Sequence, residues 1–279
     1  MSTTDTAKDS APARPAATRG PVLAIGGAED KVDDKIILST FAQLAGGPAA
    51  RIVIIPTASS LEDTGDRYRA IFAAMGVAGA EVLFVGSRED ANTADVVATL
   101  DGATGVFMTG GNQMRLSSLI GGTAVARAVR RLNEAGTVVA GTSAGASILS
   151  SHMVAYGASG ETPRQRMAQM IAGFGLVNEL IIDQHFRQRD RIGRLLTLVA
   201  SNPGLLGIGV DEDTAAMIDG NGILEVVGRN HVTIVDGSRM YSDVFQVKGH
   251  GGITVSGAGL HMLTPGRRFD LESRTLLDV

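Results

Sequence analysis

Thr137-Val138-Val139-Ala140-Gly141-Thr142-Ser143-Ala144-Gly145-Ala146-Ser147-Ile148-Leu149 is the stretch that decides the fold. Thr137 to Ala140 reads as a strand, one of a set in which Arg51 to Ile55 is a continuous β-branched run, as expected of a strand buried on both faces of a parallel sheet. Ala146 to Leu149 opens a helical run. Between them Gly141-Thr142-Ser143-Ala144-Gly145 has the form G-x-S-x-G. A strand that bends sharply into a helix raises a serine hydroxyl above the sheet, and flanking glycines permit the torsions that such a bend needs. The helix N-terminus behind the serine aims amide hydrogens at developing negative charge. A plainer reading is a small-residue turn around a buried serine. The strand-turn-helix context favours a nucleophile.

Outward from this stretch, apolar runs alternate with helical patterns. Strands are expected at Val22 to Ile25, Arg51 to Ile55, Glu81 to Val85 and Gly105 to Met108. Helices are expected over 33–44, 62–75, 91–100, 114–119 and 124–135. This alternation predicts an α/β protein with a doubly wound, mostly parallel sheet. From Gly204 onward short β-like runs recur: 206–210, 215–218, 223–227, 232–235 and 244–248. Gly and Asn-Gly turns part several of them, so these runs read as extra C-terminal strands closing the same domain, residues 20–279. Residues 1–19 are Ser, Thr, Ala, Pro and charge, and read as a disordered tail without the apolar centre of a secretory signal.

Composition narrows the chemistry. The chain has 279 residues, a net charge of -4 and no cysteine. Disulfides, thiolate metal sites and cysteine nucleophiles are thereby excluded. The charge balance leaves no nucleic-acid footprint, and no apolar run reaches the roughly 20 residues that span a bilayer. No zinc-type H-E-x-x-H, phosphate loop or dinucleotide fingerprint is present, so neither metal nor cofactor is expected. The cytoplasm is the default location.

Ser143 needs a base. Of the five histidines, His185 ends the predicted strand Leu180 to Ile182 and so belongs on the same sheet rim as the serine. His152 is carried away by the intervening turn of helix, and His231, His250 and His261 fall in the late β region. A carboxylate must then hold the imidazole. Asp211, Glu212 and Asp213 follow the strand 206–210, and spacing does not choose among them. The order Ser, His, acid differs from the Ser, acid, His order of α/β-hydrolases, which points to a different doubly wound hydrolase.

In these segments the chain resembles the cyanophycinases, relatives of peptidase E. The resemblance is carried by Ile25-Gly26-Gly27-Ala28-Glu29-Asp30-Lys31, Thr109-Gly110-Gly111-Asn112-Gln113, the serine turn, Asp183-Gln184-His185-Phe186, Gln188 to Leu195 and Gly207 to Ala215. Together they run through most of the chain, and their order is more specific than any one of them. The resemblance implies a flavodoxin-like or class I glutamine amidotransferase-like fold and a triad of Ser143, His185 and Glu212. It places the oxyanion hole at the amides of Gly111 and Ala144. It also implies a substrate pocket with Gln113, Asp183, Gln184, Arg189, Arg191 and Arg194, in which Asp183 pairs with a substrate guanidinium. The implied substrate is cyanophycin, a poly-aspartate whose side chains carry arginine in isopeptide linkage. The implied product is β-aspartyl-arginine, and dimers are common in the family.

Arg187, Arg189, Arg191 and Arg194 crowd the start of a predicted helix, where positive charge is locally unfavourable unless an anion is present. Arg187, Arg191 and Arg194 have the spacing of one helix face. A solvated basic face paired with acidic neighbours is the bland alternative. The nearest functional rival is a peptidase E-like dipeptidase cleaving after an N-terminal aspartate. A catalytically silent binding protein on the same scaffold is the rival of another class. A glutamine amidotransferase subunit is discarded for want of a cysteine.

Overall fold

The computed structural model describes residues 19–277. The expected tail lies outside the described residues except for Arg19, whose guanidinium donates to Leu176 O at 2.8 Å.

Four parallel βα units come first. Strands β1 (Val22–Ile25), β2 (Arg51–Ile55), β3 (Gly79–Val82), β4 (Gly105–Met108) and β5 (Val138–Thr142) pair in the order β3-β2-β4-β5-β1. They are joined through helices α1 (Ile36–Leu44), α2 (Thr64–Ala74), α3 (Ala94–Ala98), α4 (Gln113–Ile120) and α5 (Ala124–Glu134). β1, β4 and β5 are buried along their whole length, as their continuous apolar runs require. On one face Phe41, Phe72 and Phe107 meet with ring centroids 5.4 to 5.6 Å apart, under α1 and α2.

After β5 a single turn, α6 (Ala144–Ser147), leads to a hairpin of β6 (His152–Gly157) and β7 (Ala168–Ala172). Next come β8 (Leu180–Gln184), α7 (Ile192–Ser201) and β9 (Leu206–Val210), a parallel crossover in which Gln184 pairs with Val210. The chain then leaves this second sheet through Asp211 to Asp213. It re-enters the first as β10 (Thr214–Ile218), antiparallel to β1. β11 (Ile223–Gly228) extends the first sheet and β12 (Val232–Asp236) the second. A short pair, β13 (Tyr241–Ser242) and β14 (Val255–Ser256), precedes β15 (Gly259–Leu263) on the second sheet. β16 (Arg268–Asp270) and β17 (Thr275–Leu277) finish the first, which has nine strands among the described residues. One apolar cluster joins the two sheets, with Val139 and Met108 from the first and Ile182, Ile208 and Ile234 from the second.

Several expectations are corrected. The late strands divide between two sheets. Val244 to Lys248 is not a strand: Asp243 O accepts the amides of Gln246 and Val247, Asp243 Oδ1 accepts Thr254 N, and the segment curls. α1 begins at Ile36, later than expected, because the Asp30 carboxylate takes the amides of Val32, Asp33 and Lys35 and holds them as a turn. The helix expected over 91–100 is broken at Thr93, whose backbone is extended between a 3-10 turn and α3. The β6–β7 hairpin was not anticipated.

Candidate active site

The parallel registers assemble the site. Ile25 lies beside Thr142, and Met108 beside Gly141. The chain ends beyond β1, β5 and β4 therefore emerge together, where sites form on open α/β sheets. Ser143 is the first residue past β5, with φ 54° and ψ -111°, a region that non-glycine residues enter only at a cost of about 1–3 kcal/mol. The surroundings impose this conformation. Ser143 N donates to Ile25 O at 2.9 Å, while Ser143 O accepts the amides of Ala146 and Ser147 in the turn that follows. A methyl carbon on Gly141 would lie 2.1 Å from Gly145 O, and one on Gly145 would lie 2.4 Å from Met108 O. Both glycines of the turn are thus required by close backbone approach.

The pairing of β8 with β9 brings the second half of the site alongside. His185 N donates to Gly26 O at 2.8 Å, fixing the imidazole over the end of β1. His185 Nε2 is 2.9 Å from Ser143 Oγ, and His185 Nδ1 is 2.6 Å from Glu212 Oε1. A carboxylate can only accept here, so Nδ1 carries the proton and Nε2 is left with a lone pair toward the serine hydroxyl. Burial pushes the His185 pKa below its ordinary value, Glu212 opposes this, and Arg189 and Arg191 push it down further.

The three carboxylates after β9 have separate tasks. Asp211 is buried and accepts the amides of Arg187 at 3.0 Å and His231 at 3.4 Å. Asp213 accepts Asp30 N at 2.8 Å and pairs with Arg229 at 3.3 Å. Glu212 alone of the three meets the imidazole. The loop after β4 closes the other side of the serine. A methyl carbon on Gly110 would lie 3.3 Å from Ser143 Cβ. Among the described residues no hydrogen bond claims the amide of Gly111 or Ala144.

The arginine cluster departs from expectation. α7 starts at Ile192, so Arg187 precedes it, shares no helix face with Arg191 and Arg194, and reaches Asp211 at 3.6 Å. The anion at the cluster is supplied by the protein. Asp183 is completely buried; Arg194 Nε donates to its Oδ2 at 2.6 Å, and both arginines donate to its Oδ1. Asp183 therefore has no surface to offer a substrate guanidinium. Arg191 also donates to Gln184 O, and burial lowers its pKa to about 10 despite Asp183. Gln184 lies against the reacting group, with Oε1 3.5 Å from Ser143 Oγ. Arg189 is exposed beside His185. Gln113 is anchored to the hairpin, donating to Ala155 O at 2.7 Å.

Two residues that shape the site had no role assigned from sequence. Gly27 packs on the His185 ring; the Gly26-Gly27 pair directly after β1 was the available signal. Glu29, 3% exposed, accepts Thr142 Oγ1 at 2.5 Å immediately behind the elbow. It also accepts the Tyr68 hydroxyl and pairs with Lys31 at 2.9 Å. No local pattern marks a buried glutamate whose hydroxyl partners, Tyr68 and Thr142, are 39 and 113 residues away.

A serine raised at a strand-to-helix bend, an imidazole on its hydroxyl and a carboxylate on the far ring nitrogen define a serine hydrolase constellation on an α/β scaffold. The family model for peptidase family S51 matches residues 22–226. The chain is 44% identical over 266 residues to the cyanophycinase of Nostoc sp. (strain PCC 7120 / SAG 25.82 / UTEX 2576), spanning 94% of this chain and 89% of that protein. It is 40% identical over 258 residues to the cyanophycinase of Synechococcus elongatus, spanning 91% and 80%. Among solved structures it resembles a peptidase from an acI-B1 Actinobacterium, with TM-score 0.66, 22% identity and 91% and 97% of the two chains covered. It also resembles a putative peptidase E protein from Listeria monocytogenes EGD-e, with TM-score 0.51, 16% identity and 75% and 96% covered. The chain belongs to peptidase family S51 and is a serine-type peptidase. Among the described residues no helix is long and apolar enough to cross a membrane.

Proposed function

We propose that the chain is a cyanophycinase in which Ser143, His185 and Glu212 form the catalytic triad. The observation that carries this reading is the continuous relay from Ser143 Oγ through His185 to Glu212, at 2.9 and 2.6 Å. Identity of 40% and 44% to two cyanophycinases supports the choice of substrate.

In the reaction, Ser143 Oγ attacks an aspartyl backbone carbonyl while its proton passes to His185 Nε2. The carbonyl oxygen becomes an oxyanion, stabilised by the amides of Gly111 and Ala144. Glu212 stabilises the imidazolium without taking its proton. His185 then protonates the departing amine, and the acyl-serine bond forms as the peptide bond breaks. Water, deprotonated by His185, cleaves the ester and restores the serine. Gln184, Arg189 and Gln113 contact the substrate beside the serine. Arg191 and Arg194 act from behind, holding Asp183 and the Gln184 backbone in place. A homodimer in the cytoplasm completes the reading.

The test is digestion of purified cyanophycin, with the products identified by mass. Release of β-aspartyl-arginine is expected. Hydrolysis of aspartyl dipeptides with the polymer left intact would replace this reading with that of a peptidase E-like dipeptidase.

A further inference from the structure

Across the rim of the first sheet the strands run β1, β5, β4, β2. His185 lies over β1, Ser143 follows β5, Gly110 and Gly111 follow β4, and Ala58 to Leu61 lie beyond β2. The base and its acid therefore occupy one flank of the nucleophile. Between the loop after β4, the loop after β2 and α2, with Lys31 from the loop after β1 also on its wall, is a cavity of about 710 Å³. Gly110, Gly111 and Asn112 line it, so it borders the loop that carries the Gly111 amide.

Among the described residues every charged residue lining this cavity is a cation: Lys31, Arg67 and Arg115. Lys31 is compensated by Glu29 at 2.9 Å, and Arg67 by Asp63 at 2.7 Å. Arg115 is different. Its Nε donates to Thr57 O at 3.0 Å, which fixes the guanidinium plane, and its terminal nitrogens make no hydrogen bond among the described residues. A guanidinium fork held at its base with its outer edge open suits a carboxylate.

We infer that this cavity is a second substrate subsite, which takes the free α-carboxylate of an amino acid borne on the substrate residue across the scissile bond from the His185 flank. The inference rests on the cyanophycin reading. In that polymer each arginine is joined through its amino group, so its α-carboxylate stays ionised, and a backbone passing Ser143 presents one such group per residue. Consecutive residues straddle the serine, one toward Gln184 and Arg189, the next toward Arg115. This arrangement explains why the cavity is cationic although the polymer also carries guanidinium groups: the carboxylate enters it, and the guanidinium stays at its open mouth.

The test uses two short oligomers, one of β-aspartyl-arginine and one with agmatine in place of arginine, which lacks only the carboxylate. Wild-type protein, Arg115→Ala and Arg67→Ala are assayed on both. Arg115→Ala is expected to raise KM for the arginine oligomer about tenfold, the loss expected for one charged hydrogen-bonded contact. On the agmatine oligomer it should change nothing, and Arg67→Ala should show the same selectivity to a smaller degree. Equal penalties on both oligomers, or no penalty on either, overturn the subsite. A wild-type protein that cleaves cyanophycin but shows no preference between the oligomers also overturns it, while leaving the proposed function standing. A wild-type protein that cleaves no cyanophycin overturns the function and the subsite together.

Discussion

Gly27 lies against the ring of His185: a methyl carbon built on Gly27 would be 2.3 Å from His185 Cε1 and 2.5 Å from Nε2. Gly27 also has φ 98°, a conformation L side chains rarely adopt. The second residue after β1 thus sets how closely the imidazole approaches the serine. Gly27→Ala is expected to fold, to displace the ring, and to lower kcat by at least roughly a hundredfold, since misplacement by about 1 Å costs that much. Steady-state kinetics beside a thermal melt separates this from unfolding.

Ser143 stores backbone strain that the nucleophile requires. Ser143→Ala should abolish turnover and melt close to the wild type. Ser143→Gly should also be inactive, yet it should be more stable by about 1 kcal/mol, because glycine accepts φ 54° without penalty. Chemical denaturation of the two variants checks the ordering. A glycine variant less stable than the alanine variant would count against a strained elbow.

The acid limb of the pH profile reports His185, which must be neutral to accept the serine proton. Burial holds its pKa below the ordinary value, so activity should persist below about pH 6.5. Arg189 adds to this lowering, so Arg189→Gln should move the limb toward higher pH. Glu212 opposes the lowering, so Glu212→Gln should move the limb toward lower pH and reduce kcat by roughly 10²- to 10⁴-fold. Profiles of kcat/KM for the three proteins test both signs.

Asp183 binds two arginines that are themselves almost wholly buried, with side chains 8% and 5% exposed. Asp183→Asn leaves two cations uncompensated and should cost about 3–5 kcal/mol. Urea denaturation measures this. A loss of affinity for substrate with unchanged stability would instead restore Asp183 as a substrate contact.

The serine turn was legible because its requirements are local: the strand before it, the glycines inside it and the helix after it lie within a dozen residues. His185 was legible for a related reason, its place at the end of an apolar run. The choice of Glu212 over Asp211 and Asp213 was not open to spacing. It depends on Asp211 being turned inward to the amides of Arg187 and His231 and on Asp213 being held by Asp30. The arginines show the same limit, since their i, i+4, i+7 spacing presumed a helix that begins only at Ile192.

Residue order alone determined the parallel α/β core and the bend at Ser143, because apolar periodicity and glycine torsions act over a few neighbouring residues. Tertiary structure decided which late strands joined which sheet, which carboxylate met His185, and that Asp183 serves the protein's own arginines. Those outcomes follow from strand register and burial between segments far apart in the chain, where a polar group's role is set by the partner that desolvation forces upon it.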